Sequence, residues 1–217
     1  MLEGMRFSLR RDTALPNVHE EPKEAEETEV ADIVTRTKAL LMQPAQEWPV
    51  IAAEPADTKG LILGYAAILS AIPPVFSFLG VLLLGGMLPG VGIGAMLGQG
   101  IVQYVLGLGS VWVIGKIIQT LAPMFGGLSD EVSAMKLSVY SPAASWVAGV
   151  FLLLPLVGII VLLLGLAYGV YLFYVGAPVV AKVPADKAVP FTVAVTIGAI
   201  VLGLIVGLVT VRLFPAF

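Results

Sequence analysis

Residues 137–180 read LSVYSPAASWVAGVFLLLPLVGIIVLLLGLAYGVYLFYVGAPVV, 44 consecutive residues without an Asp, Glu, Lys or Arg. As one helix rising ~1.5 Å per residue the stretch would be about 66 Å long, twice the ~30 Å hydrocarbon core of a bilayer. It must therefore fold back on itself. Pro155 and Gly158 supply the turn, because proline cannot continue a helix from the preceding turn and glycine tolerates a tight connection. The parse is two spans, Leu137–Leu154 and Val157–Val180, joined by a short uncharged hairpin.

The same length criterion, carried outward, finds three more spans. Leu61–Leu84 is the first, interrupted by Pro73 and Pro74; an uncharged glycine-proline turn follows over Gly85–Gly92, and Gly94–Leu121 is the second. Pro190–Leu213 is the last. The stretch Pro123–Lys136, with Phe125-Gly126-Gly127 and the acids Asp130 and Glu131, reads as a polar loop, as does the region of Lys182, Asp186 and Lys187. The expected fold is all-α, a polytopic membrane helix bundle of five transmembrane helices over residues 60–217. A chain of 217 residues that is 58% hydrophobic and only 12% charged lies far from a soluble balance.

The charge is concentrated at the front. Residues 1–59 hold 7 of the 12 Lys+Arg and 12 of the 15 Asp+Glu. Residues 1–17 carry Arg6, Arg10 and Arg11 without an apolar core, unlike a signal peptide. Residues 1–32 read as an acidic, disordered-type tail, with Glu20, Glu21, Glu24, Glu26, Glu27, Glu29 and Asp32 clustered around Pro22. Over residues 33–59 an amphipathic segment follows: Ile33, Val34, Thr37, Leu40 and Leu41 share one helical face until Pro44. This short helix lies either on the membrane surface or against the ends of the spans. Trp48, just before the first span, is placed as an interfacial anchor in the headgroup layer. With the amino terminus in the cytoplasm, Lys59, Lys116, Lys136, Lys182 and Lys187 fall at the inner side and Arg212 outside, the bias expected of an inner-membrane protein with an outside carboxyl terminus. A four-span parse, with 143–180 as one helix, would put Lys182 and Lys187 outside.

Few groups suit catalysis. There is no cysteine and a single histidine, His19, so thiol chemistry and histidine metal clusters are excluded by counting. No Asp or Glu lies within a span, and Lys116 is the one intramembrane cation, close enough to the inner end to snorkel and serve as a second anchor. Gln99 and Gln103, four apart on the second span with Tyr104 beside them, are either interhelical hydrogen-bonding groups or a polar lining. Tyr168, Tyr171 and Tyr174 form a stripe on the fourth span. Glycine is the most specific signal: Gly86, Gly90, Gly94 and Gly98 recur every four residues, and Gly165/Gly169 and Gly203/Gly207 repeat the small-xxx-small spacing that lets helix backbones approach within or between protomers. The run Gly90-Val91-Gly92-Ile93-Gly94-Ala95 superficially fits a dinucleotide fingerprint, but no strand precedes it and no acid follows at the required distance. No cofactor, metal or nucleic acid is expected, and no enzymatic activity.

Four motifs resemble the Yip family, multi-span membrane proteins named for interaction with Ypt/Rab GTPases, and in particular its bacterial branch. They are Thr37-Lys38-Ala39-Leu40-Leu41 leading to Pro44 and Trp48, Ala122-Pro123-Met124-Phe125-Gly126-Gly127, Lys136-Leu137-Ser138-Val139-Tyr140-Ser141-Pro142, and Tyr171-Leu172-Phe173-Tyr174-Val175-Gly176. The resemblance covers residues 33–213 and implies five spans, a cytosolic amino terminus and a membrane scaffold or adaptor. Eukaryotic members resemble one another in an Asp-Leu-Tyr-Gly-Pro block before the first span, where this chain has Gln43-Pro44-Ala45-Gln46-Glu47-Trp48; the residues associated with GTPase traffic are missing. The expected role is a non-enzymatic scaffold or accessory subunit, with the bilayer and either other subunits or further copies as partners and the acidic arm as a protein contact. The alternatives are a small channel or transporter lined by Gln99, Gln103 and Tyr104, and a membrane-shaping protein acting through the helix at 33–42.

Overall fold

The structure is a computed structural model and describes residues 21–83 and 92–214. Gly86 and Gly90 and the first twenty residues of the acidic tail lie outside the described residues. The chain divides into two units, Met1–Arg36 and Thr37–Phe217. The first contains the start of helix α1, which runs Glu21–Met42 and so begins inside the stretch expected to lack structure. Its Glu, Ala and Lys content is helix-forming, and Pro22 sits in the first turn, where a missing N–H costs nothing.

The second unit holds five helices long and apolar enough to cross a membrane: Thr58–Leu83, Ile93–Phe125, Glu131–Leu153, Leu156–Val180 and Ala185–Leu213. They are not equivalent. In the third, 67% of the most apolar window is buried, against 11–28% in the others, so the third span is the core and the other four wrap it. The central span is also the least hydropathic of the five. Its Ser138 and Ser145 hydroxyls donate to carbonyls of their own helix, at 3.0 Å to Met135 and 2.7 Å to Pro142, which satisfies them without a neighbour.

Prolines shape the spans. The third consists of Glu131–Tyr140, Ala143–Ala148 and a 3₁₀ end over Gly149–Leu153, broken where Pro142 removes a helical N–H. The first contains a π-helical segment, Leu61–Ala66, and is interrupted again at Ala71, just before Pro73 and Pro74. At the decisive hairpin Leu154 adopts an extended backbone and Pro155 opens the fourth helix, Pro155–Val180, as the length argument requires. Gly158 sits directly on the Phe151 and Leu152 backbone, where no side chain would fit.

The other end of the bundle is closed by paired loops. Gly126, at φ +82°, takes the left-handed conformation that ends the Ala122–Phe125 turn, and the Leu128 N–H donates to the Ala181 carbonyl at 2.8 Å. Thr58 donates to Glu131 at 3.5 Å. The start of the first span and the 2–3 and 4–5 connections therefore share one end of the bundle. One boundary differs from expectation: residues 131–136 are helix, not loop. The helix starts at its cap, where the Asp130 carboxylate accepts from the Ser133 N–H at 2.8 Å, and the charge of Lys136, which suggested a loop, is held inside.

Candidate functional site

Gln99, Gln103 and Tyr104 of the second span line one cavity of about 540 Å³. Ser70, Pro73 and Ser77 of the first span face them, and Trp146 of the central span forms the back wall. Leu152 and Leu162, on either side of the Leu154 hairpin, also reach it, which places the cavity in the half of the bundle away from the 2–3 and 4–5 connections. The Tyr104 hydroxyl donates to the Ala67 carbonyl at 2.9 Å and tethers the first two spans. The Ser70 hydroxyl is buried without a partner. Among the described residues, no Asp, Glu, Lys, Arg or His contributes to the lining. Beyond Trp146 and Gly107, a second cavity of about 320 Å³ lies between the central span and spans two, four and five.

The glycine repeats separate into two groups. A Cβ on Gly165 would lie 2.8 Å from Ala148 Cβ and 2.9 Å from the Ala144 carbonyl, and one on Gly169 would lie 3.0 Å from the Ser141 carbonyl. These two carry the close approach of the fourth span to the centre. Gly158 of the fourth span, Gly80 of the first and Gly115 of the second likewise sit against the central span, Gly149 of the central span sits against Pro73, and Gly176 sits against Trp48; sequence reasoning missed all five as packing positions because none stands in a four-residue glycine repeat. By contrast, a Cβ on Gly94, Gly203 or Gly207 would meet nothing within 4 Å, and one on Gly98 only the Phe214 ring at 3.5 Å. The spacing is identical, but among the described residues these positions carry no helix packing.

The two expected anchors differ from each other. Trp48 is fully buried, its ring packed against protein and not exposed on the surface of the bundle. It sits in α2, Pro44–Ala53, with its ring against Gly176, where a Cβ would come within 2.5 Å, and edge-on to Tyr140 at 6.4 Å. The glycine removes the obstacle and the apolar ring fills the space. Lys116 reaches Glu131 at 3.0 Å and Gln119 at 3.2 Å, and lies 5.6 Å from the Trp112 ring centre, at the polar end of the bundle. Of the two places open to the amphipathic face, the bundle claims it from Thr37 onward: Thr37 and Leu40 are buried.

Against known proteins, the Yip1 domain family matches residues 38–208. The chain belongs to the Yip1 family. Neither a curated protein nor a solved structure matches it. The matched stretch contains the described lining of the cavity, the Gly165/Gly169 face and α2, while the acidic residues up to Asp32 precede it. With its five apolar helices this Yip1-family chain is an integral membrane protein.

Lys136, in the first turns of the central span, is the residue of the Yip1 domain that sequence reasoning most misjudged. It is only 5% exposed, and its ammonium donates to the Ala52 carbonyl at 3.2 Å and the Glu54 carbonyl at 2.6 Å, a cation at the negative end of α2. Thr37 and Tyr65 hydroxyls lie 2.9 Å apart, the Tyr65 ring meets that of Tyr140 at 4.5 Å with the planes tilted by 52°, and the Tyr168 hydroxyl donates to the Leu41 carbonyl at 2.7 Å. Residues 37–53 are thereby fastened to the first, third and fourth spans. Lysine and tyrosine at span ends are ordinary interfacial residues, so the sequence holds no sign of these partners. Asp130, outside the spans, has its carboxyl held below the ordinary 3.8 by hydrogen bonds from the Ser133 hydroxyl and N–H.

Proposed function

We propose that the protein is a non-enzymatic membrane scaffold or accessory subunit, inserted with its amino terminus in the cytoplasm and its carboxyl terminus outside, in an inner membrane of bacterial type. The observation that carries this reading is the open glycine face of the fifth span: Gly203 and Gly207 stand one turn apart, and a Cβ on either would meet nothing within 4 Å among the described residues. Glycine in an exposed helix is destabilising, and in lipid its use is to admit a second backbone. Other subunits or further copies of the chain are the partners this face fits, with the acidic arm as an additional protein contact. Native purification and mass measurement test the reading. A larger assembly that falls apart on Gly203→Leu with Gly207→Leu is the expected result, and a solitary monomer in native membrane extracts overturns it.

The cavity supports a second reading as a small channel or transporter, since Gln99, Gln103 and Tyr104 meet in one space. Proteoliposome flux that is unchanged by Gln103→Leu removes it.

A further inference from the structure

We propose that the cavity between the first, second and central spans is a binding site for an uncharged membrane amphiphile, a molecule with a neutral hydrogen-bonding head and an apolar chain. This goes beyond the scaffold reading and does not depend on it.

Four observations converge. The volume, about 540 Å³, lies within the ~300–1,000 Å³ range of small-molecule sites. Phe78, Val81, Met96, Trp146, Leu152 and Leu162 form much of its wall, a surface that offers water few of the two to four hydrogen bonds each ordered molecule needs and suits an apolar chain. Against that wall stand unmet polar groups: the Gln99 and Gln103 amides have no hydrogen-bond partner among the described residues, and the Ser70 hydroxyl has none either. Unpaired amides at membrane depth cost several kcal/mol each unless something supplies the partner. Finally, Gly100 and Gly107, seven apart on the second span, both line the cavity, and a Cβ on either meets nothing within 4 Å; the space is open where side chains would otherwise fill it.

The charge of the ligand follows from the lining. Without a cation, the site has nothing to balance a phosphate, and without a carboxylate nothing to balance an amine. Ions and phospholipid headgroups are therefore disfavoured here. Ester carbonyls, a hydroxyl, or the oxygens of a quinone can each accept from or donate to glutamine amides, while the chain lies along Phe78, Met96 and Leu162. Diacylglycerols and isoprenoid quinones carry this same chemistry.

The test is photo-crosslinking of the full chain in phosphatidylcholine vesicles that contain a photoactivatable diacylglycerol, a photoactivatable isoprenoid quinone or, as reference, photoactivatable phosphatidylcholine. Labelled peptides are identified by mass spectrometry. One neutral probe is expected to label residues 70–81 and 96–107 about tenfold more than phosphatidylcholine at equal mole fraction, and which one does so separates the two sources. The Gln99→Leu and Gln103→Leu pair is expected to reduce that preference about tenfold, the effect of losing one good hydrogen bond. Gly100→Leu, which fills open space and leaves the fold intact by its unchanged melting temperature, is expected to abolish it. Equal labelling by all three probes overturns the proposal, as does a preference that survives both variants, or water-soluble solute flux through the cavity in their place.

Discussion

Single groups differ most in how much of their environment is protein. Lys116 and Glu131 are 35% and 47% exposed, so their ion pair contributes at most about 1 kcal/mol; Glu131→Gln is expected to leave the unfolding temperature in detergent almost unchanged. Lys136 is the opposite case. Replacing it with Met strands the Ala52 and Glu54 carbonyls and is expected to destabilise the protein by about 2–3 kcal/mol, read as a loss of thermal stability. Asp130 supplies a pH dependence with a definite sign. Its folded carboxyl is held below 3.8, so its contribution is complete above that value and is lost as pH falls through the lower, folded one. The stability gap between the wild-type chain and Asp130→Ala, which removes the capping oxygen, is about 1 kcal/mol near neutral pH and should therefore narrow under acid conditions; a gap independent of pH contradicts the assignment.

Helices, with identical spacing signals, can serve opposite ends. Gly165/Gly169 and Gly203/Gly207 are indistinguishable as text, yet the first pair touches Ala144, Ala148 and Ser141 and the second touches nothing. Gly165→Leu is expected to cost about 3 kcal/mol or more, since overpacking against backbone cannot relax, and to abolish folding in membranes. Gly203→Leu should leave the thermal stability of the monomer unchanged and alter only its association, measured by native mass. The same contrast explains α2. A tryptophan ahead of a first span is ordinarily an interfacial residue, and only the missing side chain at Gly176 turns Trp48 inward. The parse of the spans was legible because length and charge decide it: the hairpin at Pro155, and the ends at Leu121, Val180 and Leu213, stand where the uncharged runs require. The start of the third span was not, because a cap at Asp130 outweighs the charge at Lys136.

Across the whole molecule, one span is enclosed by four that turn apolar faces outward. The arrangement puts the 2–3 and 4–5 connections at one end and the Leu154 hairpin at the other. The chain is free of cysteine, so single cysteines at Ser129 and Ala185 should both label from the cytoplasmic side and one at Ala216 from outside. Labelling of Ser129 and Ala185 from opposite sides contradicts the five-span arrangement. By itself the sequence determined the membrane class, the number of spans and the grouping of Gln99, Gln103 and Tyr104, because hydropathy, length and helical period are local quantities. Which span became the core, which glycines met a neighbour and which polar groups found a partner were decided only by the tertiary structure. Those outcomes depend on what lies across the gap from each residue, and no local pattern carries that information.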